Sequence, residues 1–250
     1  MIRAVDLTLT ISGHTILNKV SVDVPKNKVT ALIGPNGAGK STLLHTIARL
    51  TKQDSGQVLL DNRSITDFEN KELARHMSIL RQDSAIGSRL KVRDLVSFGR
   101  YPHNQGRHSA SDDLVVDKVL VDFELDALAE RFLDTLSGGQ RQRALLAMNF
   151  AQDAEAILLD EPLNNLDLSH ARQLMHTVKH YVGRGKTFVV VLHDLNYAAR
   201  YADHIIAMKQ GEVFAAGDTS SIFNEGLLSD LYETPIEIVK VNGLPMALSY

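Results

Sequence analysis

The sequence predicts an α/β fold with a mainly parallel core sheet, an antiparallel β edge and an inserted helical subdomain. Three observations predict it. Short, mostly apolar runs at residues 28–33 (KVTALI), 156–159 (AILL) and 188–192 (FVVVL) suit strands buried on both faces. Helical segments separate these runs, as crossovers between parallel strands require. A glycine-rich loop joins the first run to a helix.

The elements follow in order. Residues 2–9 and 16–24 read as antiparallel strands around a turn at Ser12, Gly13 and His14. A strand at 28–33, a helix at 41–50, and a strand at 57–60 with an Asp61-Asn62 turn come next, then a strand closing at Ile79 and Leu80. From about 84 to 151 the spacing turns helical. Val92, Leu95, Val96 and Gly99 mark one helix; Leu114, Val115, Val119 and Leu120 mark another. Between them residues 99–111 (GRYPHNQGRHSAS) read as an exposed loop. Strands return at 156–159, 188–192 and 205–208, with a helix near 169–182. Hairpins are expected over 209–216 and 236–248, the second turning at Asn242-Gly243.

Composition narrows the class. The 250 residues are 44% hydrophobic and 23% charged, values of a globular chain able to bury a sizeable core. Lys and Arg number 27 against 30 Asp and Glu, a net charge of −3, so no nucleic-acid partner is expected. No cysteine is present, which excludes thiol catalysis and thiolate metal sites. The apolar runs are strand-length, far below the roughly 18 residues of a membrane span, and the first ten residues lack a signal-peptide core.

The loop after residues 28–33 reads GPNGAGKST: Gly34, Pro35, Asn36, Gly37, Ala38, Gly39, Lys40, Ser41 and Thr42. It matches the phosphate-loop pattern in the context the mechanism needs, after a strand and before a helix. Glycines let backbone N–H groups face phosphate oxygens, and the helix N-terminus adds partial positive charge. Lys40 can reach the β- and γ-phosphates, and the Ser41 hydroxyl can ligate Mg²⁺. The strand at 156–159 ends in Asp160 and Glu161. Asp160 is placed to hold Mg²⁺ and Glu161 to orient and polarise the attacking water. Residues 136–140 read LSGGQ, where Ser137 suits a helix N-cap and Gly138 and Gly139 permit close approach of an anion. A second phosphate-facing helix start is most economically used head-to-tail, each chain closing its partner's nucleotide.

With these motifs the sequence resembles the ATP-binding cassette (ABC) ATPases over nearly its whole length. The resemblance implies a P-loop NTPase ABC cassette in which residues 34–42 form the Walker A loop, 157–161 Walker B, and Ser137, Gly138, Gly139 and Gln140 the signature. It implies that Gln82 is the Q-loop glutamine, contacting Mg²⁺ or water. Asp167 ends the D-loop (NNLD), and His193 is the switch histidine facing the γ-phosphate. The cofactors implied are ATP and Mg²⁺. The partners implied are a second ATPase copy, transmembrane permease subunits and, indirectly, a substrate-binding protein, placing the chain peripherally on the cytoplasmic face of the inner membrane. Residues 1–83 and 152–220 are expected to form the nucleotide-binding core, 84–151 the helical subdomain with the signature, and 221–250 a C-terminal helix and hairpin extension.

Residues 91–107 (KVRDLVSFGRYPHNQGR) resemble the corresponding stretch of importers for iron–siderophore complexes, haem and cobalamin, and so does the 236–248 hairpin. That resemblance implies iron–siderophore import, with Gly99, Arg100, Tyr101 and Pro102 near the groove that meets the permease. Other cargo, or a soluble ABC protein acting on nucleic acid or ribosomes, are the alternative readings. The family usually stacks an aromatic on adenine, yet the matching residues are Ile11, Ser12 and Gly13. A weak preference for ATP over GTP is therefore expected; parallel titrations with the two nucleotides check it, and strong ATP selectivity would contradict it.

Overall fold

The computed structural model describes residues 1–81 and 89–249. They form two units, one of residues 1–68 with 187–250 and one of residues 69–186. The first unit opens with β1 (Ile2–Ile11), β2 (His14–Val24), β3 (Val29–Ile33), α1 (Lys40–Ile47), β4 (Ser55–Leu60) and β5 (Arg63–Ser64). The second contains α2 (Asn70–His76), β6 (Met77–Leu80), α3 (Val92–Phe98) and α4 (Tyr101–Asn104). It continues through α5 (Ala110–Asp122), α6 (Gly138–Ala151), β7 (Ala156–Leu159) and α7 (Leu168–Val182). The chain then returns to the first unit with β8 (Thr187–Val191), α8 (Leu195–Tyr201), β9 (His204–Lys209) and β10 (Glu212–Asp218). It ends with α9 (Thr219–Ile222), α10 (Glu225–Tyr232), β11 (Ile236–Val241) and β12 (Leu244–Ser249).

In the first unit an antiparallel sheet runs β2-β1-β4-β5. Beside it β3 lies parallel to both β8 and β9, and β10 folds back antiparallel on β9. Every residue of β3 and β8 is buried, which explains why neither run alternates. β11 and β12 pair as the expected hairpin, with Asn242 and Gly243 both at positive φ (51° and 81°). In the second unit β6 and β7 pair in parallel, and α3, α5 and α6 enclose a core that includes Leu95, Val119, Leu120 and Phe150. Phe150 meets Phe123 and Tyr181 edge-on, with centroids 4.9 and 5.0 Å away.

Three local expectations are corrected. The first helix stops at Ile47, short of residue 50, where Arg49 turns to positive φ (58°). On α5, Leu114 is 72% exposed and Val116 takes the buried position, because the helix phase is set by Asp112, Val116, Val119 and Leu120. Residues 99–111 are not simply an exposed loop. They contain α4, and Arg100 is buried against Asp112, with Nε 3.0 Å from Oδ1. Arg100 Nη1 also donates to the Ala151 carbonyl at 2.9 Å, at the end of α6. Asp112 accepts from the Ser109 hydroxyl (2.7 Å) and backbone N–H (3.2 Å) and from Asn104 Nδ2 (3.1 Å), so its buried charge is fully compensated. His103 contacts the Gln152 carbonyl at 2.8 Å, and Arg75 Nε donates to the Pro102 carbonyl at 2.9 Å. Polar composition signalled solvent here, yet the charges satisfy one another.

Hydrogen bonds from Ser109 outweigh the opposing effect of burial and, with Arg100 and Asn104, hold the Asp112 carboxyl far below the usual carboxylate range. Its folded-state pKa is depressed, so the stabilisation is fully present above the unfolded value near 3.9 and fades as pH falls below it. Arg100→Ala is expected to cost about 3–5 kcal/mol across pH 5–8, because it strands a buried carboxylate. Urea denaturation at several pH values measures this.

Candidate active site

The first unit presents the phosphate loop. β3 delivers the chain to Gly34 at φ +138°, where a Cβ would stand 2.1 Å from the Met208 carbonyl oxygen of β9. Only glycine fits there. Gly39, at φ +96°, packs less tightly on the Ile16 carbonyl (2.9 Å for an added Cβ), while Asn36 and Gly37 form the exposed tip. Pro35 accepts from the Ala38 N–H at 3.2 Å, tightening the turn. Lys40 is 5% exposed, and its Nζ donates to the carbonyls of Gly34 (2.8 Å) and Pro35 (2.9 Å). α1 starts at Lys40 with no side-chain cap and no acidic residue in its first turn, which includes Ser41 and Thr42. An ammonium beside an uncapped helix N-terminus is a donor set that fits a polyphosphate.

His193 follows β8. The register pairs Leu32 with Val191, and the Leu192 N–H donates to the Leu32 carbonyl at 3.1 Å, so loop and histidine leave the same end of adjacent parallel strands. The cap of α8 is Asp194, accepting from the Asn196 N–H at 2.7 Å, which leaves the exposed His193 outside the helix. Asn196 in turn clamps β12: Nδ2 donates to the Ala247 carbonyl (3.3 Å) and Oδ1 accepts its N–H (2.8 Å).

The second unit carries the other described residues of the predicted site. Asp160 is buried at the end of β7, its N–H donating to the Leu80 carbonyl of β6 at 3.0 Å. Glu161 adopts φ +49° and its Oε2 accepts from Asn164 Nδ2 at 2.7 Å. Ser137 caps α6 reciprocally with Gln140: the Gln140 N–H donates to Ser137 Oγ (3.3 Å) and the Ser137 N–H to Gln140 Oε1 (3.0 Å). A Cβ on Gly138 would meet open space, while one on Gly139 would lie 3.1 Å from the Asn165 carbonyl, so signature and D-loop adjoin. Asp167 caps α7, accepting from the His170 N–H (2.9 Å) and Nδ1 (2.8 Å). The His170 N–H and then its ring hold the Asp167 carboxyl below its ordinary value. Gln82 lies outside the described residues. Ile11, the residue at the expected adenine position, is 47% exposed.

One contact had no sequence signal. The Gly34 N–H donates to the Tyr232 hydroxyl at 3.1 Å, across 198 residues. Only the pairing of α10 with the β3–β9 side of the first unit could have revealed it.

Residues 17–164 match the model of the ABC transporter family, and the chain belongs to that family. Among its relatives, the petrobactin import ATP-binding protein YclP of Bacillus subtilis (strain 168) is 42% identical over 244 residues, 97% of each chain. The ferric enterobactin transport ATP-binding protein FepC of Escherichia coli (strain K12) is 39% identical over 252 residues, covering 99% of this chain and 93% of that one. Of solved structures, a post-hydrolysis dimer of the ATP-binding cassette MJ0796 bound to ADP and Pi superposes with a TM-score of 0.80. It is 28% identical and covers 88% of this chain and 99% of its own. An ATP-binding subunit of an ABC transporter, at 23% identity, shares the fold with a TM-score of 0.82, covering 93% and 98%.

Gly34→Ala is expected to displace the loop, since its Cβ cannot coexist with the Met208 carbonyl. ATP binding should weaken more than tenfold while circular dichroism stays native, read by titration with a fluorescent ATP analogue.

Proposed function

We propose that this chain is the ATP-hydrolysing energy-coupling subunit of an importer for iron–siderophore complexes. The buried Lys40 ammonium in its phosphate loop carries the nucleotide reading. The near-full-length likeness to petrobactin and ferric enterobactin import ATP-binding proteins supports the cargo. In this reading Gly34, Pro35, Asn36, Gly37, Ala38, Gly39, Lys40, Ser41 and Thr42 bind the phosphates of ATP. Lys40 and His193 meet charge developing at the γ-phosphate, where removal from water strengthens each interaction. Glu161 orients the attacking water and takes its proton as the bond between the γ-phosphorus and the ADP oxygen breaks.

Ser41 Oγ, the Asp160 carboxylate and the Gln82 amide are hard oxygen donors of the kind magnesium takes. Magnesium held by them would neutralise charge on the β- and γ-phosphates. Ser137, Gly138, Gly139, Gln140 and Asp167 would act across a head-to-tail dimer, offering the glycine-lined first turn of α6 to the partner's nucleotide. Exposed Phe98 and Tyr101 support a permease contact beside α4, and no described helix is long and apolar enough to cross a membrane. The chain would then work peripherally at the cytoplasmic membrane face, with closure of the dimer favoured by ATP and released by hydrolysis.

Glu161→Gln is expected to keep ATP binding, lower turnover about 10²–10⁴-fold and accumulate an ATP-bound dimer in sedimentation. Lys40→Ala should lose binding and turnover together. Cells lacking the chain should lose uptake of radio-iron supplied as a ferric siderophore, with rescue by the native chain and none by Glu161→Gln. Undiminished uptake would refute the cargo assignment.

A further inference from the structure

The C-terminal segment reaches the phosphate loop through one side chain. Tyr232, the last residue of α10, is half-buried and its hydroxyl oxygen accepts the Gly34 N–H at 3.1 Å. The next peptide of the same glycine offers its carbonyl to Lys40 Nζ at 2.8 Å. Gly34 is thus gripped on both faces, with the Met208 carbonyl against its α-carbon leaving no room for a side chain. α10 is itself anchored to the end of β9: Lys209 Nζ donates to the Asp230 carbonyl (2.6 Å) and pairs with Glu233 (2.9 Å). It is tied to the final hairpin as well, where the Ile236 N–H donates to Ser229 Oγ (2.9 Å) and the Ile238 N–H to Glu225 Oε1 (2.9 Å). Burial raises the Tyr232 hydroxyl to about 12, against the opposing Gly34 hydrogen bond, so it stays protonated at any physiological pH.

We propose that Tyr232 is a positioning residue of the phosphate loop: by accepting the Gly34 N–H it fixes the orientation of the Gly34 carbonyl that holds Lys40. The proposal rests on the nucleotide reading of that loop. A loop peptide without this partner would be freer to rotate, and one of the carbonyls that hold Lys40 would lose its fixed orientation. Deleting the hydroxyl leaves the ring and its packing in place, so the loss of stability stays small while nucleotide handling changes.

The test uses the full chain and a fluorescent ATP analogue. Tyr232→Phe should weaken analogue binding about three- to tenfold, the span of one net hydrogen bond, with the melting temperature lowered by no more than about 4 °C. Exchange of the Gly34 amide proton with solvent should accelerate in the same variant. Glu233→Ala, one residue on, breaks only the Lys209 pair; it should lower the melting temperature and leave binding and Gly34 exchange unchanged. Native binding and native Gly34 exchange in Tyr232→Phe, alongside lost binding in Lys40→Ala, would overturn the role of Tyr232 and spare the nucleotide reading. Native binding in Lys40→Ala would overturn that reading and the proposal with it.

Discussion

The Lys40 ammonium lies between the carbonyls of Gly34 and Pro35 with 5% of its surface left in water, and a cation so placed must be compensated by polar groups held in register. That requirement organises the first unit. It needs Gly34 at a positive φ against the Met208 carbonyl, hence β9 beside β3, and it needs Gly39 folded onto Ile16, hence the edge strand β2. The same strand β3 pairs with β8 and so brings His193 out beside the loop. Phosphate oxygens are stronger acceptors for an ammonium than the carbonyls of Gly34 and Pro35, so a polyanion at the loop would compete well for Lys40.

The second unit obeys the same rule with a different charge. Arg100 and Asp112 are buried together, and the pair finds further partners in Ser109, Asn104 and the end of α6. The ion pair joins the start of α4 to α5, and the Arg100 hydrogen bond to the Ala151 carbonyl ties both to the end of α6, whose first turn is capped by Ser137. Phe98 and Tyr101 stay exposed next to this staple. An exposed apolar surface can therefore rest on a firmly held base, because the polar groups beneath it are spent on one another.

Much of this was legible because some residue types have one physical use in one order. GPNGAGKST between a buried strand and a helix has little purpose other than cradling phosphate, and Ser137 with Gln140 three positions on is a capping box in sequence as in structure. Leu114 and the 99–111 stretch misled for a common reason. Local polarity and spacing report what a segment can expose, whereas burial of Arg100 depends on Asp112 and the Ala151 carbonyl being brought to it. Gln82 stays an expectation drawn from its motif, since it lies outside the described residues.

By itself the sequence determined the class of fold, the phosphate loop, the paired acids after β7 and the signature cap, because each is a contiguous run whose backbone chemistry is local. The tertiary structure decided what non-adjacent segments do to one another. It set the Met208 carbonyl against Gly34, the Tyr232 hydroxyl on its amide from 198 residues away, the Asn196 clamp on β12 and the Arg100–Asp112 pair. A hydrogen bond or a close carbonyl contact is defined by distance and angle in space, and no spacing along a chain encodes it until the strands between have paired.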